Sequence, residues 1–401
     1  MLSNQEMAAL QVCAAQPMLE QVQAWAAINS GSRNLDGLAQ MASVLADAFS
    51  ALPGNLALLE AAEVQTLDAA GAVQTIAHGR NLHLTVRPDA AVQVVLTGHM
   101  DTVFAADHPF QSLAWTGDGV LNGPGVADMK GGIAVMLAAL KALEASPAAQ
   151  AIGYEVVINS DEEVGSAGSA ALIAQAAMGK TAAFTYEPAA LPDGTLAGAR
   201  PGSGNFSILI EGRSAHAGRN PEDGRNAILA AADLALRLAK ARGPRLSVNP
   251  ARIDGGGPNN VVPDRAILRV NMRPFTPQDE ARAKAHLDAA VAMVAAEHEV
   301  AIHVHGGFGR PPKPMDEKTE RLFAFVRACG ADLGQGIAWA PSGGVCDGNN
   351  IAACGVPVID TMGVRGGAIH SPQEYLIVDS LVERAQLSAL ALIRLASGAG
   401  L

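Results

Sequence analysis

Histidine and carboxylate side chains occur at four places in the first half of the chain where an apolar segment begins or ends, and another histidine lies far downstream in a Gly-rich region. These residues are His99 with Asp101, then Asp128, then Asp161, Glu162 and Glu163, then Glu187, and finally His370. Because the carboxyl ends of parallel strands meet at one edge of an open α/β sheet, side chains that follow such strands can form one site.

Two imidazoles and three carboxylates from this set match the ligand chemistry of a dinuclear metal site. Imidazole nitrogens and carboxylate oxygens suit Zn²⁺, and two metal ions can share one carboxylate. We therefore expect two Zn²⁺ ions, with Co²⁺ or Mn²⁺ as alternatives. The expected ligands are His99, Asp128, Glu163, Glu187 and His370.

Taken singly, these residues have simpler interpretations. A histidine after a strand is commonly a loop residue, and Asp128 could be the N-cap of the apolar helix that follows it. The acidic run 161–163 could be a solvated turn, although adjacent carboxylates repel one another unless a cation or a proton compensates. Only the joint pattern favours a metal site.

The segments around these residues alternate between strand and helix patterns. The strand-like runs 92–98, 154–159 and 182–186 are separated by the helical patterns 130–144 and 167–177. This alternation predicts an α/β fold with a mostly parallel central sheet flanked by helices.

The pattern changes near residue 200. From there to residue 309 the order of elements is β-α-β-β-α-β. This order is typical of a ferredoxin-like α+β domain. We expect a catalytic domain formed by residues 1–199 and 310–401, interrupted by a lid or dimerisation domain at 200–309.

Composition excludes several classes of protein. Of the 401 residues, 49% are hydrophobic and 17% are charged. The chain is therefore not disordered, and its length favours two domains. The net charge of -11 disfavours nucleic-acid and anionic-membrane partners. The N-terminus does not resemble a signal peptide and no long uncharged apolar run occurs, so we expect a cytoplasmic protein. The four cysteines form no CxxC pair, which disfavours a cysteine zinc site.

Five motifs make the chemistry more specific. In chain order they are GHMDTV at 98–103, GPGVADMKGG at 123–132, DEEVGS at 161–166, YEP at 186–188 and IHSPQEY at 369–375. With these motifs, the sequence from about residue 20 to 395 resembles the co-catalytic zinc metallopeptidases that include glutamate carboxypeptidase, acetylornithine deacetylase, succinyl-diaminopimelate desuccinylase and aminoacylase. It is most similar to the glutamate carboxypeptidase type, and the resemblance implies a zinc-exopeptidase-like fold.

The resemblance implies how the five ligands are shared. Asp128 would bridge the two metal ions, and the peptide bond after it would be cis. His99 and Glu187 would complete one site, whereas Glu163 and His370 would complete the other.

Further roles follow from the same resemblance. Glu162 would be the general base, and Asp101 would orient His99. His216, in the loop 212–218, would stabilise the oxyanion of the tetrahedral intermediate, commonly across a dimer interface, so we expect a homodimer.

Three more residues match family positions that bind the substrate carboxylate. They are Asn260, Arg273 and, as a weaker candidate, Arg310. A strand-end arginine is more commonly part of a surface ion pair, but a guanidinium is well suited to bidentate carboxylate binding.

These observations predict a hydrolase that cleaves an amide bond next to a free carboxylate. Its small-molecule substrate would be an N-acyl amino acid or a dipeptide-like amide, and glutamate carboxypeptidase-like release of an amino acid is the leading prediction. An N-acyl amino acid deacylase of the acetylornithine or desuccinylase kind is the alternative within this class. A non-catalytic small-molecule binder on the same scaffold is the alternative outside it.

Three departures from the family pattern put glutamate specificity in doubt without affecting the metal ligands. The loop 341–348, which contains Cys346, replaces the usual Gly-Gly-Thr-Asp-Ala. The turn 191–195 lacks a lysine of the glutamate carboxypeptidase pattern, and residues 198–202 also differ. We expect Cys346 to be a packed thiol close to the substrate pocket.

Overall fold

The computed structural model describes residues 1–398, so the last three residues of the predicted catalytic domain lie outside it. The helices are α1 (Asn4–Ala14), α2 (Met18–Ala26), α3 (Leu35–Phe49), α4 (Gly132–Glu144), α5 (Ala170–Ala177), α6 (Ala227–Ala239), α7 (Pro277–His298), α8 (Glu317–Asp332), α9 (Asp347–Ala353) and α10 (Asp379–Ala396). The strands are β1 (Asn55–Leu59), β2 (Val64–Leu67), β3 (Val73–Ile76), β4 (Asn81–Val86), β5 (Val92–His99), β6 (Ala114–Gly117), β7 (Val120–Asn122), β8 (Ile152–Asn159), β9 (Ala182–Thr185), β10 (Leu196–Ala197), β11 (Ser203–Glu211), β12 (Leu246–Gly255), β13 (Arg265–Pro274), β14 (Ala301–Arg310), β15 (Trp339–Ala340), β16 (Val358–Ile359), β17 (Gly366–Gly367) and β18 (Tyr375–Ile377).

A six-stranded sheet with the order β1-β4-β8-β5-β9-β16 forms the centre of the fold. The four strands from β8 to β16 are parallel, whereas β1 and β4 run antiparallel to their neighbours. Buried strands of this kind are rich in β-branched residues, as β5 and β8 are. The predicted α/β class with a mostly parallel central sheet is confirmed.

Helix α4 contacts the central sheet and α10. Its sequence, GIAVMLAALKALE, is apolar almost all round, which predicts a buried helix. All of its side chains except those of Lys141 and Glu144 are buried, and they pack with α1 and α10 in the largest hydrophobic cluster. Its N-terminus therefore has a fixed position beside the carboxyl ends of the strands.

A second, antiparallel sheet has the order β12-β13-β11-β14. Apolar residues of its strands pack against α6 and α7 in a separate cluster that includes Ile208, Leu234 and Leu268. The order of strands and helices is that of a ferredoxin-like unit, as the sequence predicted. Its role as a lid or dimerisation domain, and the boundaries at 200 and 309, stay predictions.

The β2–β3 hairpin joins the two parts of the molecule. Leu67 packs against Leu209 and Ile267 on the face of the second sheet opposite its helices. Arg269 Nη2 donates to the carbonyl oxygen of Leu67 (3.1 Å), and Arg265 Nη1 donates to that of Ala70 (2.8 Å). The same face of β13 carries Arg273 further along the strand, so the hairpin braces the strand that positions this arginine.

Leu67→Ala is expected to lower the free energy of unfolding by about 2 kcal/mol, because it empties the centre of a small apolar contact. Urea denaturation followed by circular dichroism measures this change. Val73→Ala is the matched control on the same hairpin, because the Val73 side chain is exposed. Its truncation should therefore change stability little. Equal losses in the two variants would contradict the bracing role of Leu67.

Among the described residues, no helix combines the length and the apolar character that a membrane crossing requires.

Candidate metal centre and active site

Three adjacent parallel strands bring predicted site residues to one edge of the central sheet. His99 is the last residue of β5. Glu162 and Glu163 begin a short 3-10 turn just after β8, and Glu187 lies two residues after β9. The carboxyl edge of the sheet is therefore where the site forms, as α/β topology predicts.

Asp128 reaches the same place from the segment before α4. It lies in the irregular turn Val126–Gly131, and its peptide bond to Met129 is cis, as expected. The Glu374 carboxylate accepts hydrogen bonds from the N–H groups of Gly125, Ala127 and Asp128 at 3.0–3.2 Å. These bonds fix the turn that carries the central carboxylate of the site.

Asp128 lies between two His–Glu pairs. Its Oδ1 is 3.1 Å from His99 Nε2, and its Oδ2 is 3.2 Å from His370 Nε2. Glu187 Oε2 is 3.7 Å from His99 Nε2, and Glu163 Oε2 is 3.1 Å from His370 Nε2. The structure thus brings together all five predicted ligands, and each Asp128 oxygen faces a different pair.

Burial and mutual repulsion of the carboxylates dominate the electrostatics of this cluster. Burial, followed by repulsion from Asp128, raises the pKa of Glu163 to about 7, and burial also raises the pKa of Glu187. Hydrogen bonds to Asp128 and Glu163 raise the pKa of His370 to about 11. Burial alone lowers the pKa of His99, but the surrounding carboxylates outweigh it and raise that pKa well above its usual value.

The donor set fits divalent metal ions. Ligand atoms of His99, Asp128 and Glu163 lie within 4.8 Å of one another. The ligand atoms of His99, Glu162 and Glu187 also lie within 4.8 Å of one another. Buried carboxylates that repel one another are stabilised by a cation, and imidazole with carboxylate oxygens is a common transition-metal ligand set.

Asp101 is fully buried and contacts both the His99 ring and the backbone of Glu162 and Glu163. His99 Nδ1 lies 2.9 Å from the carbonyl oxygen of Asp101 and 3.3 Å from its Oδ1. Because a carbonyl oxygen can only accept, Nδ1 carries the proton and Nε2 is left to act as a ligand. The Asp101 carboxylate also accepts from the N–H groups of Glu162 and Glu163 (3.1 and 3.2 Å), a contact that the sequence did not suggest.

Arg310 lies directly beside Glu162. Its Nη2 donates to Glu162 Oε1 at 2.6 Å, and its Nη1 donates to Asp347 Oδ1 at 2.8 Å. The sequence suggested a grip on the substrate carboxylate instead. That role stays a prediction, because binding a substrate carboxylate would require Arg310 to give up contacts with these two carboxylates.

Within residues 1–398, His216 forms no hydrogen bond or ion pair with the five metal-ligand candidates. His216 is exposed, and its Nδ1 accepts from the N–H groups of Gly218 and Arg219, both at 3.1 Å. Asn260 is its neighbour, since the N–H of Ala217 donates to the Asn260 carbonyl oxygen. The two predicted residues therefore lie together.

Arg273, the remaining predicted substrate-binding residue, contacts neither Arg310 nor His216 through a hydrogen bond within residues 1–398. Its Nε donates to Asn271 Oδ1 and its Nη1 to the carbonyl oxygen of Gly343, both at 3.1 Å. Within residues 1–398, Nη2 of Arg273 has no hydrogen-bond partner. One edge of this guanidinium is thus available to an anion beside the loop 341–348.

Several residues near the site were not identified from the sequence. Glu374 lies inside the motif IHSPQEY, four positions after His370, and this spacing was the available signal for it. Asp347 and Asp360 gave none, because their partners Arg310, Arg200 and Lys313 are distant in sequence. Cys346 is buried, and burial raises the pKa of its thiol well above its usual value, which fits the expected packed thiol.

Comparisons with known proteins agree with this geometry. The family model described as peptidase family M20/M25/M40 matches residues 95–394. Carboxypeptidase G2 from Pseudomonas sp. (strain RS-16) is 31% identical over 334 residues, which cover 80% of this chain and 78% of that protein. A succinyl-diaminopimelate desuccinylase from Xanthomonas oryzae pv. oryzae (strain MAFF 311018) is 30% identical over 312 residues, which cover 72% of this chain and 80% of that protein.

A solved structure shows the same fold. The crystal structure of a tripeptidase from Staphylococcus aureus subsp. aureus Mu50 superimposes with a TM-score of 0.71 at 23% identity and covers 95% of this chain and 98% of that one. The resemblance drawn from the five motifs is confirmed. The chain belongs to peptidase family M20/M25/M40 and is a dinuclear metallohydrolase of that family.

Proposed function

We propose that this metallohydrolase cleaves the amide bond of an N-acyl amino acid or a small dipeptide-like substrate with a free carboxylate. The arrangement around Asp128 carries the proposal, because this carboxylate lies between two His–Glu pairs. A further glutamate, Glu162, lies close to His99 and Glu187. Such an arrangement suits metal-assisted hydrolysis. Release of an amino acid in the manner of a glutamate carboxypeptidase is the leading form of the reaction, supported by the similarity to carboxypeptidase G2.

Two Zn²⁺ ions are the proposed cofactors, with Co²⁺ or Mn²⁺ as alternatives. His99 and Glu187 would hold one ion, Glu163 and His370 the other, and Asp128 would bridge both. When bound, such ions polarise the scissile carbonyl group and make water more acidic.

The proton transfers are assigned to Glu162. Its carboxylate would accept a proton from the attacking water and donate it to the nitrogen of the leaving amine. Asp101 supports this step, since it holds the backbone of Glu162 and the ring of His99 at the same time.

Substrate binding is assigned to Arg273 and to Asn260, which lies beside His216 and would reach a site together with it. The open Nη2 edge of Arg273 would bind the substrate carboxylate through charge-assisted hydrogen bonds. Because the turn 191–195 lacks the lysine of the glutamate carboxypeptidase pattern, a deacylase of the acetylornithine or desuccinylase kind is the second candidate, favoured by the similarity to the desuccinylase.

A substrate panel tests this proposal. The purified chain, stripped of metal and reloaded with Zn²⁺, Co²⁺ or Mn²⁺, is offered N-acetyl, N-succinyl, N-benzoyl and N-aminoacyl derivatives of glutamate and of neutral and basic amino acids. Faster cleavage of glutamate derivatives than of the others would favour the carboxypeptidase form, and preference for an acyl group would favour the deacylase. Absence of any turnover with metal bound would reject amide hydrolysis.

We also propose that the chain is a homodimer in which His216 serves the partner's site. Nδ1 of His216 accepts two backbone hydrogen bonds. Its proton therefore lies on Nε2, which can donate to an oxyanion. The side chains of Leu229 and Leu236 on α6 are exposed, and they form a candidate apolar contact between protomers. The cytoplasmic location stays a prediction.

Mixing two inactive variants tests the arrangement. His216→Ala and Glu162→Gln protomers, combined by unfolding and refolding together, should recover about a quarter of wild-type activity, because each mixed dimer has one complete site. Each variant refolded alone is the control. A mixture that stays inactive, or an active monomer in light scattering, would contradict delivery of His216 across a dimer.

A further inference from the structure

The guanidinium of Arg310 is committed to groups of the protein. The residue is 4% exposed. Its Nη1 donates to Asp347 Oδ1 (2.8 Å) and Asn350 Oδ1 (3.0 Å). Its Nη2 is within 3.2 Å of three acceptors, which are Glu162 Oε1, the Glu162 carbonyl oxygen and Ser166 Oγ. The four N–H groups on these two nitrogens therefore all have acceptors, and a bidentate grip on a substrate carboxylate would require several of these bonds to break.

The Glu162 carboxylate requires a hydrogen-bond partner such as Arg310 to keep it from becoming a metal ligand. Ligand atoms of Glu162 lie close enough to those of His99 and Glu187 to join a metal site. A glutamate that became a ligand would lose its freedom to move a proton. Arg310 binds Oε1, which leaves Oε2 as the oxygen that can face the reacting water.

We propose that Arg310 is a positioning residue that holds Glu162 for proton transfer, and that Asp347 in turn holds Arg310. This inference rests on the proposed role of Glu162 as the general base. It differs from the role suggested by the sequence, in which Arg310 binds the carboxylate of the substrate.

The chain delivers Arg310 through the second sheet. Arg310 is the last residue of β14 and pairs with Ser203 at the start of β11. Asp347 is the first residue of α9, directly after the loop that Arg273 contacts at Gly343. The orientation of the second sheet and of this loop is therefore transmitted to Glu162 through one buried guanidinium.

The two roles of Arg310 differ in the kinetic constant that they affect. Loss of a positioning contact misplaces the base, and a misplacement of about 1 Å can cost roughly 100-fold in rate. Arg310→Met should thus lower kcat by about 100-fold and change KM by less than about threefold. Arg310→Lys should recover part of kcat, since one ammonium can still bind Glu162 but cannot also span to Asp347.

The experiment measures kcat and KM of the zinc-loaded chain on the best substrate of the panel, with metal content and calorimetric affinity for the released amino acid. Asp347→Asn keeps Arg310 and weakens its anchor, so a fall in kcat of about 10-fold with unchanged product affinity is expected. This variant and Arg310→Lys keep the proposal testable if Arg310→Met does not fold. Arg321→Met, at an exposed arginine paired with Glu317, is the matched control and should change neither constant.

The outcomes separate this inference from the proposed function. A rise in KM and a loss of product affinity with unchanged kcat, as expected for Arg273→Met, would overturn the positioning role. If Arg310→Met, Arg310→Lys and Asp347→Asn all lost metal or folded protein, Arg310 would have a structural role only. This result would also overturn the positioning role. In a Glu162→Gln background, Arg310→Met should cause no further loss, because the two residues act as a unit. If Glu162→Gln itself remains active, the general base is misassigned, and this result identifies a failure of the proposed function.

Discussion

Glu162→Gln is expected to lower kcat by about 10²–10⁴-fold, the usual contribution of a general acid–base group, while the chain keeps its metal ions. The amide cannot accept a proton from water, but it is nearly isosteric with the carboxylate and can still contact Arg310. Steady-state kinetics on the best substrate, combined with metal analysis of the dialysed protein, measure the two effects separately.

Glu163→Gln is the matched control, because it changes the adjacent carboxylate, which faces His370 and Asp128. This variant should lose metal as well as activity, since an amide is a weaker ligand than a carboxylate. Full activity in Glu162→Gln would remove Glu162 from the mechanism. A wild-type chain that binds metal and ligand without turnover would instead favour the non-catalytic binder.

Asp360→Asn is expected to lower the free energy of unfolding by about 3–5 kcal/mol, because it leaves two buried cations without their anion. Asp360 is fully buried, with Lys313 Nζ at 2.7 Å from its Oδ2 and Arg200 Nε at 2.7 Å from the same oxygen. Arg200 and Lys313 also pair through their backbones, so the carboxylate anchors both segments that lead to and from the second sheet.

Denaturant unfolding of the variant measures this loss, and Asp288→Asn is the control. Asp288 forms an exposed pair with Lys284. Loss of such a surface pair should change the free energy of unfolding by about 0.5 kcal/mol or less. Adding Lys313→Met to Asp360→Asn should restore part of the stability, because it removes one of the unpaired cations. Equal losses at Asp360 and Asp288 would refute the buried anchor.

The same carboxyl group makes part of this stability depend on pH. Burial alone would raise the pKa of Asp360, but Arg200 and Lys313 outweigh burial and lower it below its usual value. The folded state therefore binds the proton more weakly than the unfolded state. This contribution is complete above about pH 4, the pKa range of an unfolded aspartate, and is lost as the pH falls through the lower folded value. The difference in free energy of unfolding between wild type and Asp360→Asn should consequently narrow as the pH falls below about 4.

Local patterns were sufficient for much of the fold. The apolar stretch before Glu144 predicted a buried helix, and α4 is that helix. The antiparallel strands β1 and β4 and the β2–β3 hairpin were not foreseen. Their pairing depends on contacts with distant segments, and short strands have weak signals of their own.

The sequence by itself determined which side chains could bind metal, because they occur in five short motifs, four of which end a strand or begin a helix. It also determined the family, since the five motifs occur in one order. Tertiary structure alone decided which Asp128 oxygen faces which histidine. It also decided that Arg310 contacts Glu162, 148 positions away. These outcomes follow from the packing of the two sheets and from buried charge pairing between distant segments, which no local pattern of residues encodes.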